Sequence, residues 1–168
     1  CGGVGLNLIQ AAAMKNAFPV VAIDNNESKK ELCLRAGANN FLTDIDQLGN
    51  NNVDIIIDTT GIPEVITKGI SKLSGNGRFI LVGQPAPGRF VEVMNAVNLF
   101  SGKGQMIKAT QGGRTNPAED IPRYIKLFQN KKLDVDFLFT HKFPLDEINQ
   151  AFDLLKSGNA GRISIQIS

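Results

Sequence analysis

Two glycines and an aspartate near the start of the chain have the spacing of a phosphate- and ribose-binding turn. Gly2 and Gly5 stand at the beginning of a helix of small residues, and Asp24 lies 19 residues after Gly5. Gly2 lets the main chain approach a pyrophosphate, and the partial positive charge at the helix amino terminus attracts this anion. Gly5 lets the helix lie close to a strand. The pattern predicts that the chain binds an adenine dinucleotide.

Asp24 also bears on which dinucleotide is bound. It ends the apolar stretch Val20–Ile23, where a carboxylate can accept hydrogen bonds from the adenosine ribose and repel a 2′-phosphate. This favours NAD over NADP. Each signal has a simpler interpretation: a glycine cluster occurs in ordinary turns, and an aspartate after a strand is often a helix cap. Their combination in the right order favours nucleotide binding.

The dinucleotide fingerprint G-x-G-x-x-G is only partly present. Gly2 and Gly5 take the places of its second and third glycines, so the first glycine would fall before Cys1. The strand that feeds the turn would fall there as well. We therefore expect the chain to be a piece of a longer protein.

Helices and strands alternate through the first part of the chain. The first helix is predicted from Gly2 to about Lys15, with an inner face made of Gly5, Leu8, Ile9, Ala12 and Ala13. The strands are short and apolar, which is typical of buried parallel strands. The other predicted elements are a helix from Glu27 to Ala36, strands at Phe41–Leu42, Val53–Asp58 and Arg78–Gly83, a helix from Pro63 to Leu73, and a tight turn at Ser74–Gly77. The order predicts an α/β fold, a Rossmann-like doubly wound parallel sheet lacking its first strand.

The pattern changes after a strand predicted at Lys103–Thr110. The remainder is predicted to be a small α/β segment. It contains helices at Pro117–Asn130 and from Leu145 to the stop at Ser157–Asn159, and strands at Phe137–His141 and Ile163–Ile167. The predicted domains are residues 1–110, which bind the nucleotide, and residues 111–168.

Composition narrows the class of protein. With 42% hydrophobic residues the chain can bury a core, and a net charge of +2 is too small to indicate nucleic acid as a partner. No apolar run is long enough for a membrane span, so no membrane partner is predicted. Two cysteines are too few for a disulfide framework, which favours a reducing, cytoplasmic location.

Several stretches together resemble the zinc-dependent alcohol dehydrogenase branch of the medium-chain dehydrogenase/reductase family. CGGVG at 1–5 is similar to the end of that family's GxGGVG. The other matching stretches are AIDNNESKKELCLRAGA at 22–38, VDIIIDTTG at 53–61, GRFILVGQP at 77–85, DIPRYIKLF at 120–128 and THKFPLDEINQAFDLLKSGNAGRISIQI at 140–167. The last match is the most specific, because no general nucleotide-binding fold requires it.

The resemblance implies roles for individual residues. Asp24 and Lys29 would lie at the adenosine ribose, and Arg162 would reach the pyrophosphate. A solvated surface charge is the alternative for Lys29 and Arg162. The full set of implied cofactor-binding residues is Gly2, Gly3, Val4, Gly5, Asp24, Lys29, Thr60, Gly61, Val82, Gly83, Gln84, Ala109, Thr110, Gln111 and Arg162.

The resemblance also implies a hydride transfer between NAD and an alcohol, aldehyde or ketone, assisted by zinc. The zinc ligands would lie outside this chain, so no catalytic or metal-binding residue is assigned, and the chain alone is expected to be inactive. Cys33 and His141 are interpreted as structural. The carboxyl-terminal segment would pack on a missing catalytic lobe, and a homodimer or larger homo-oligomer is expected. The alternatives are a zinc-free NADPH quinone or enoyl reductase and a non-catalytic nucleotide sensor.

Overall fold

The computed structural model describes residues 1–50 and 52–167, which form two compact units. The first unit consists of Cys1–Thr43 and Asn116–Ser168, and the second of Asp44–Thr115. All strand pairs found within them are parallel. The α/β class with parallel sheets is therefore confirmed. The domain boundary near residue 110 stays a prediction.

The amino-terminal part of the first unit alternates helix and strand. It contains helix α1 (Gly3–Met14), strand β1 (Val21–Ile23), helix α2 (Lys30–Arg35) and strand β2 (Asn40–Leu42). Strand β1 pairs with β2, with Ala22 opposite Phe41. Gly37 has a φ of +108°, so it ends α2 in a conformation that glycine tolerates best.

The carboxyl-terminal part of the first unit adds two helices and two strands. These are helix α4 (Pro117–Gln129), strand β6 (Phe139–Pro144), helix α5 (Ile148–Ser157) and strand β7 (Arg162–Gln166). Strand β6 pairs with β7, and Phe139 lies opposite Arg162. Gly158, with a φ of +75°, ends α5 in the left-handed conformation. Phe137 and Leu138 belong to a 3₁₀ turn before β6, so the predicted strand starts two residues too early.

The buried face of α1 differs from the prediction. Leu6 and Gln10 are buried with Gly5 and Ile9, whereas the predicted Leu8, Ala12 and Ala13 are only half-buried. The reason is a contact that no local pattern reveals: Gln10 accepts a hydrogen bond from the backbone N–H of Asp134 at 3.0 Å. The core around Leu6 is completed by Cys33, Ala36, Phe137 and Leu138.

The second unit is a three-stranded sheet with a helix packed on it. Strand β3 (Val53–Asp58) pairs with β4 (Leu73–Leu81), and β4 pairs with β5 (Met106–Ala109). Helix α3 (Pro63–Ser71) begins with a proline, as predicted. Phe79 fills the core, together with Ile66, Ile70 and Leu73 of the helix and the strand start.

Strand β4 is longer than predicted and contains a large bulge. Val53 lies opposite Leu73, but Ile55 lies opposite Arg78. The predicted tight turn at Ser74–Gly77 is therefore the bulge itself, and Asn76 accommodates it with a φ of +60°. A short π-helix at Asn98–Gly102 was not predicted and precedes β5, which is shorter than the predicted strand.

Candidate functional site

The glycine turn at the start of α1 offers backbone donors to open space. Gly2 lies in the extended conformation immediately before α1, and a Cβ added to it would meet no atom within 4 Å. The first N–H groups of a helix have no acceptor within that helix. An anion can therefore approach these N–H groups closely, because Gly2 has no side chain in the way.

Gly3 leaves room for a side chain that comes from β7. A Cβ added to Gly3 would lie 2.6 Å from Nε of Arg162, because the side chain of Arg162 passes directly over this residue. Arg162 is the first residue of β7, and within residues 1–50 and 52–167 it forms no salt bridge. A guanidinium thus lies beside the positive end of a helix, and no carboxylate of the described residues forms an ion pair with it. A pyrophosphate fits this arrangement.

Asp24 directly follows β1 and is held in place at both carboxylate oxygens. Its Oδ1 accepts a hydrogen bond from the backbone N–H of Asn26 at 2.9 Å, and its Oδ2 accepts one from the amino group of Cys1. The 3₁₀ turn Glu27–Lys29 is capped by Asn26 and not by Asp24, because Oδ1 of Asn26 accepts from Ser28 N–H. The helix-cap interpretation of Asp24 is therefore wrong.

Lys29 is 4% exposed, so the interpretation of this residue as a solvated charge is also wrong. Its Nζ donates a hydrogen bond to the carbonyl of Ala160. Burial lowers the pKa of Lys29 from its ordinary value, an effect that the negative charge of Asp24 opposes. The ammonium is held by the segment that leads to Arg162.

Cys33 is fully buried on α2, and burial raises the pKa of its thiol to about 11. It is a neutral core residue at neutral pH, as interpreted from the sequence. Within the part of the chain that the structure describes, no cluster of three or more His, Cys, Asp or Glu side chains could hold a metal ion. Nor does that part contain a helix long and apolar enough to cross a membrane.

In the second unit, the buried Asp58 organises the turn after β3. Its Oδ1 accepts from the hydroxyl of Thr60 at 2.7 Å, and its Oδ2 from the backbone N–H of Gly61 at 2.9 Å. Its carbonyl accepts from the N–H groups of Val82 and Gly83, at 2.9 and 3.0 Å. Sequence reasoning missed this residue. The available signal was a carboxylate at a strand end, directly followed by Thr-Thr-Gly.

The turns after β3 and β4 touch through their backbones. A Cβ on Gly61 would lie 2.3 Å from the carbonyl oxygen of Gln84, and one on Gly83 would lie 2.3 Å from the N–H nitrogen of Gly61. Only glycine at both positions permits this contact. It lies at the carboxyl ends of parallel strands, where open α/β sheets bind their ligands.

The structure distributes the predicted residues over both units. The residues that follow β5 are anchored to β4, because Thr110 donates its N–H to the carbonyl of Leu81 at 2.9 Å. The hydroxyl of Thr110 accepts from Gly113 N–H at 2.9 Å. The first unit contains Gly2, Gly3, Val4, Gly5, Asp24, Lys29 and Arg162, and the second contains Thr60, Gly61, Val82, Gly83, Gln84, Ala109, Thr110 and Gln111. Their binding roles stay predictions.

Comparison with known proteins places this geometry in a family. Residues 3–130 match the family described as zinc-binding dehydrogenase. The chain belongs to this family.

Individual zinc-binding dehydrogenases and their relatives resemble the chain over almost its whole length. It is 29% identical to S-(hydroxymethyl)glutathione dehydrogenase of Saccharomyces cerevisiae over 176 aligned residues, which cover 96% of the chain and 45% of that protein. Alcohol dehydrogenase 3 of Hordeum vulgare is also 29% identical, with the same coverage. The chain spans about half the length of the curated relatives it matches.

Solved structures of zinc-binding dehydrogenase relatives match as well. Benzyl alcohol dehydrogenase of Acinetobacter calcoaceticus superposes with a TM-score of 0.88 at 29% identity. The match covers 99% of the present chain and 48% of that protein. The family predicted from the sequence is therefore confirmed, with the chain corresponding to its carboxyl-terminal portion.

The contact between the β3 and β4 turns can be tested by adding one methyl group. We expect Gly83→Ala to lower the free energy of unfolding by about 1–3 kcal/mol, because the new Cβ would overlap rigid backbone atoms. Urea unfolding followed by circular dichroism measures this change. Gly75→Ala is the matched control, since its Cβ would meet only the carbonyl of Lys103 at 3.9 Å. Equal effects of the two substitutions would contradict the close contact.

The buried ammonium of Lys29 predicts a pH dependence of stability. Because the pKa of Lys29 is lowered in the folded chain, the unfolded chain holds more protons between that pKa and the ordinary value of 10.5. The free energy of unfolding contributed by Lys29 must therefore rise with pH in this window. Lys29→Met has no such charge, so its stability relative to the parent should fall as the pH approaches 10.5.

Urea unfolding of the parent and of Lys29→Met at a series of alkaline pH values measures this difference. Lys30→Met is the matched surface control, because Lys30 is the exposed first residue of α2 and follows Lys29 directly in sequence. A difference for Lys29→Met that grows in its favour with rising pH would show that the sign is wrong.

Proposed function

We propose that the chain binds NAD and forms the cofactor-binding part of a zinc-dependent, NAD-linked alcohol dehydrogenase-like oxidoreductase. One observation carries the proposal: the guanidinium of Arg162 lies over Gly3, beside the donors of the α1 amino terminus, with no carboxylate to balance it among the described residues. Arginine and backbone N–H groups are the usual ligands of a pyrophosphate. Gly2 leaves the approach to these donors open.

Asp24 is the proposed partner of the adenosine ribose. Its Oδ1 is used by Asn26 N–H, whereas its Oδ2 binds the terminal amino group of Cys1. Ribose hydroxyls would share or replace the contact of Oδ2, and a 2′-phosphate would be repelled by the carboxylate charge. The negative charge of Asp24 acts on the ammonium of Lys29, and Lys29 is proposed to lie beside the same ribose.

Thr60 and Gly61 are proposed to line the cleft between the adenosine and nicotinamide halves of the cofactor. The residues proposed to approach the nicotinamide half are Val82, Gly83, Gln84, Ala109, Thr110 and Gln111. The rigid glycine contact between the turns after β3 and β4 supports this proposal, because it fixes backbone donors and acceptors at the strand ends. When bound, NAD supplies the group that accepts or donates hydride.

The substrate is proposed to be an alcohol or the matching aldehyde or ketone. This rests on the family and on relatives that are named as alcohol dehydrogenases. The same findings favour a zinc enzyme over the zinc-free reductase alternative. We propose that the zinc ligands lie outside this chain, that the protein is cytoplasmic, and that it forms a homodimer or larger homo-oligomer.

The proposal predicts that this chain alone converts no alcohol. Benzyl alcohol and NAD incubated with the chain should give no NADH fluorescence above the protein-free control, because no described side chains form a metal site that could activate the alcohol. Turnover that depends on the chain would overturn this part of the proposal.

Titration calorimetry with NAD and NADP tests the role of Asp24. We expect NAD to bind more tightly, and Asp24→Ser to weaken NAD binding by about ten- to hundredfold, because it removes hydrogen bonds to a charged group. The same substitution should strengthen NADP binding relative to NAD. Asp134→Ser is the control, since that exposed carboxylate of the first unit pairs with Arg35.

Each outcome of these titrations has a distinct meaning. Equal affinities of the parent for NAD and NADP would favour the NADPH-linked alternative. No binding of either dinucleotide would overturn the proposed function. Equal effects of Asp24→Ser and Asp134→Ser would remove Asp24 from the site.

A further inference from the structure

The segment between α5 and β7 leads directly to Arg162 and is fastened at successive residues. Gly161 donates its N–H to the hydroxyl of Thr140 at 3.0 Å, and a Cβ on Gly161 would lie 2.8 Å from the carbonyl oxygen of Leu138. This side of the segment is held by β6. The other side, Gly158–Ala160, is held by the turn that follows Asp24.

Asn26 makes most of that second attachment and uses both ends of its amide to do so. Its Nδ2 donates to the carbonyl of Gly158 at 3.2 Å and to Oδ1 of Asn159 at 2.9 Å. Its Oδ1 accepts from Ser28 N–H at 3.0 Å and caps the 3₁₀ turn. At the end of the same turn, Lys29 donates to the carbonyl of Ala160.

We propose that Asn26 is a positioning residue that holds the Gly158–Ala160 segment so that Arg162 lies over Gly3. This inference rests on the proposed function, because it assigns Arg162 to the pyrophosphate. Asn26 touches neither the phosphates nor the ribose in this proposal. It acts through the loop that carries Arg162.

The proposal has a physical reason. An arginine side chain has many rotamers, and ordering it on a ligand costs conformational entropy. A segment fixed on both sides reduces that cost, because the Arg162 backbone and the start of its side chain are already directed towards the α1 amino terminus. The backbone N–H of Asn26 also donates to Oδ1 of Asp24, so Asn26 joins the turn proposed to bind ribose to the segment that carries the arginine.

The proposal separates two parts of the ligand. Adenosine carries the ribose but no phosphate, whereas ADP carries both ribose and diphosphate. Loosening the Gly158–Ala160 segment should weaken the contact with the diphosphate and leave the ribose contacts of Asp24 in place. Affinity for ADP should therefore fall. Affinity for adenosine should stay within about twofold, a smaller change than the loss of one hydrogen bond would cause.

Asn26→Ser is the variant that makes this separation. Serine is neutral and caps a helix about as well as asparagine, so its hydroxyl would still accept a hydrogen bond from Ser28 N–H. It is too short to reach Gly158 and Asn159. Asn159→Ala removes one acceptor from the opposite side, and Asn159 is exposed, so this second variant leaves the core intact.

The experiment is a double-mutant cycle measured by titration calorimetry with ADP and with adenosine. Arg162→Gln should weaken ADP binding by about ten- to hundredfold, and Asn26→Ser by about three- to tenfold. The double variant should bind ADP no more weakly than Arg162→Gln alone, because a positioning residue has nothing left to position. Asn159→Ala should reproduce the direction of the Asn26→Ser effect.

The results divide clearly. A parent chain that binds neither ADP nor NAD overturns the proposed function and this inference with it. If the parent binds ADP, the inference alone is overturned by an unchanged affinity of Asn26→Ser or by losses that multiply in the double variant. An equal loss of adenosine and ADP affinity in both Asn26→Ser and Asn159→Ala would likewise overturn it, since it would show a general loss of structure.

Discussion

The position of the Arg162 side chain over Gly3 is the contact on which the candidate site depends. A Cβ at Gly3 would displace this side chain from its present position, because Nε of Arg162 lies 2.6 Å from where that Cβ would be. The contact also brings a full positive charge to the positive end of a helix. Two positive groups placed together are unfavourable until an anion lies between them. The arrangement is therefore easier to explain as part of a binding site than as part of a stable core.

The rest of the first unit serves to place these two groups. Strand β6 fixes the backbone of β7, and the close approach of Gly161 to Leu138 leaves no freedom where Arg162 begins. Nζ of the buried Lys29 donates a hydrogen bond to the carbonyl of Ala160, two residues before Arg162. Burying an ammonium is costly, and its pKa is lowered as a result. Such a cost is reasonable at a functional site, where the position of a neighbouring group matters more than the stability gained.

The sequence predicted the parts of the fold that local patterns determine. Short apolar runs located β1, β3 and β4, and Gly37 and Gly158 correctly ended their helices. The buried face of α1 and the bulge in β4 were not predictable in this way, because residues distant in sequence decide them. The glycine turn and Asp24 could be found from their spacing alone. Lys29 and Arg162 entered through the family resemblance, since an isolated lysine or arginine carries no pattern of its own.

Asp24 and Asp58 show why a carboxylate at a strand end needs its contacts counted before a role is assigned. Both follow or end a parallel strand, and in both the Oδ1 accepts from the backbone N–H two residues later, at 2.9 and 3.2 Å. Oδ2 of Asp58 accepts a hydrogen bond from the backbone N–H of Gly61, and the residue is buried. Its role is therefore to organise the turn. Asp24 differs in its exposure, because 15% of its side chain remains accessible. The same residue type at the same place in a βα unit is thus enclosed in one unit and still accessible in the other, and this is why a ligand role is proposed for Asp24 and not for Asp58.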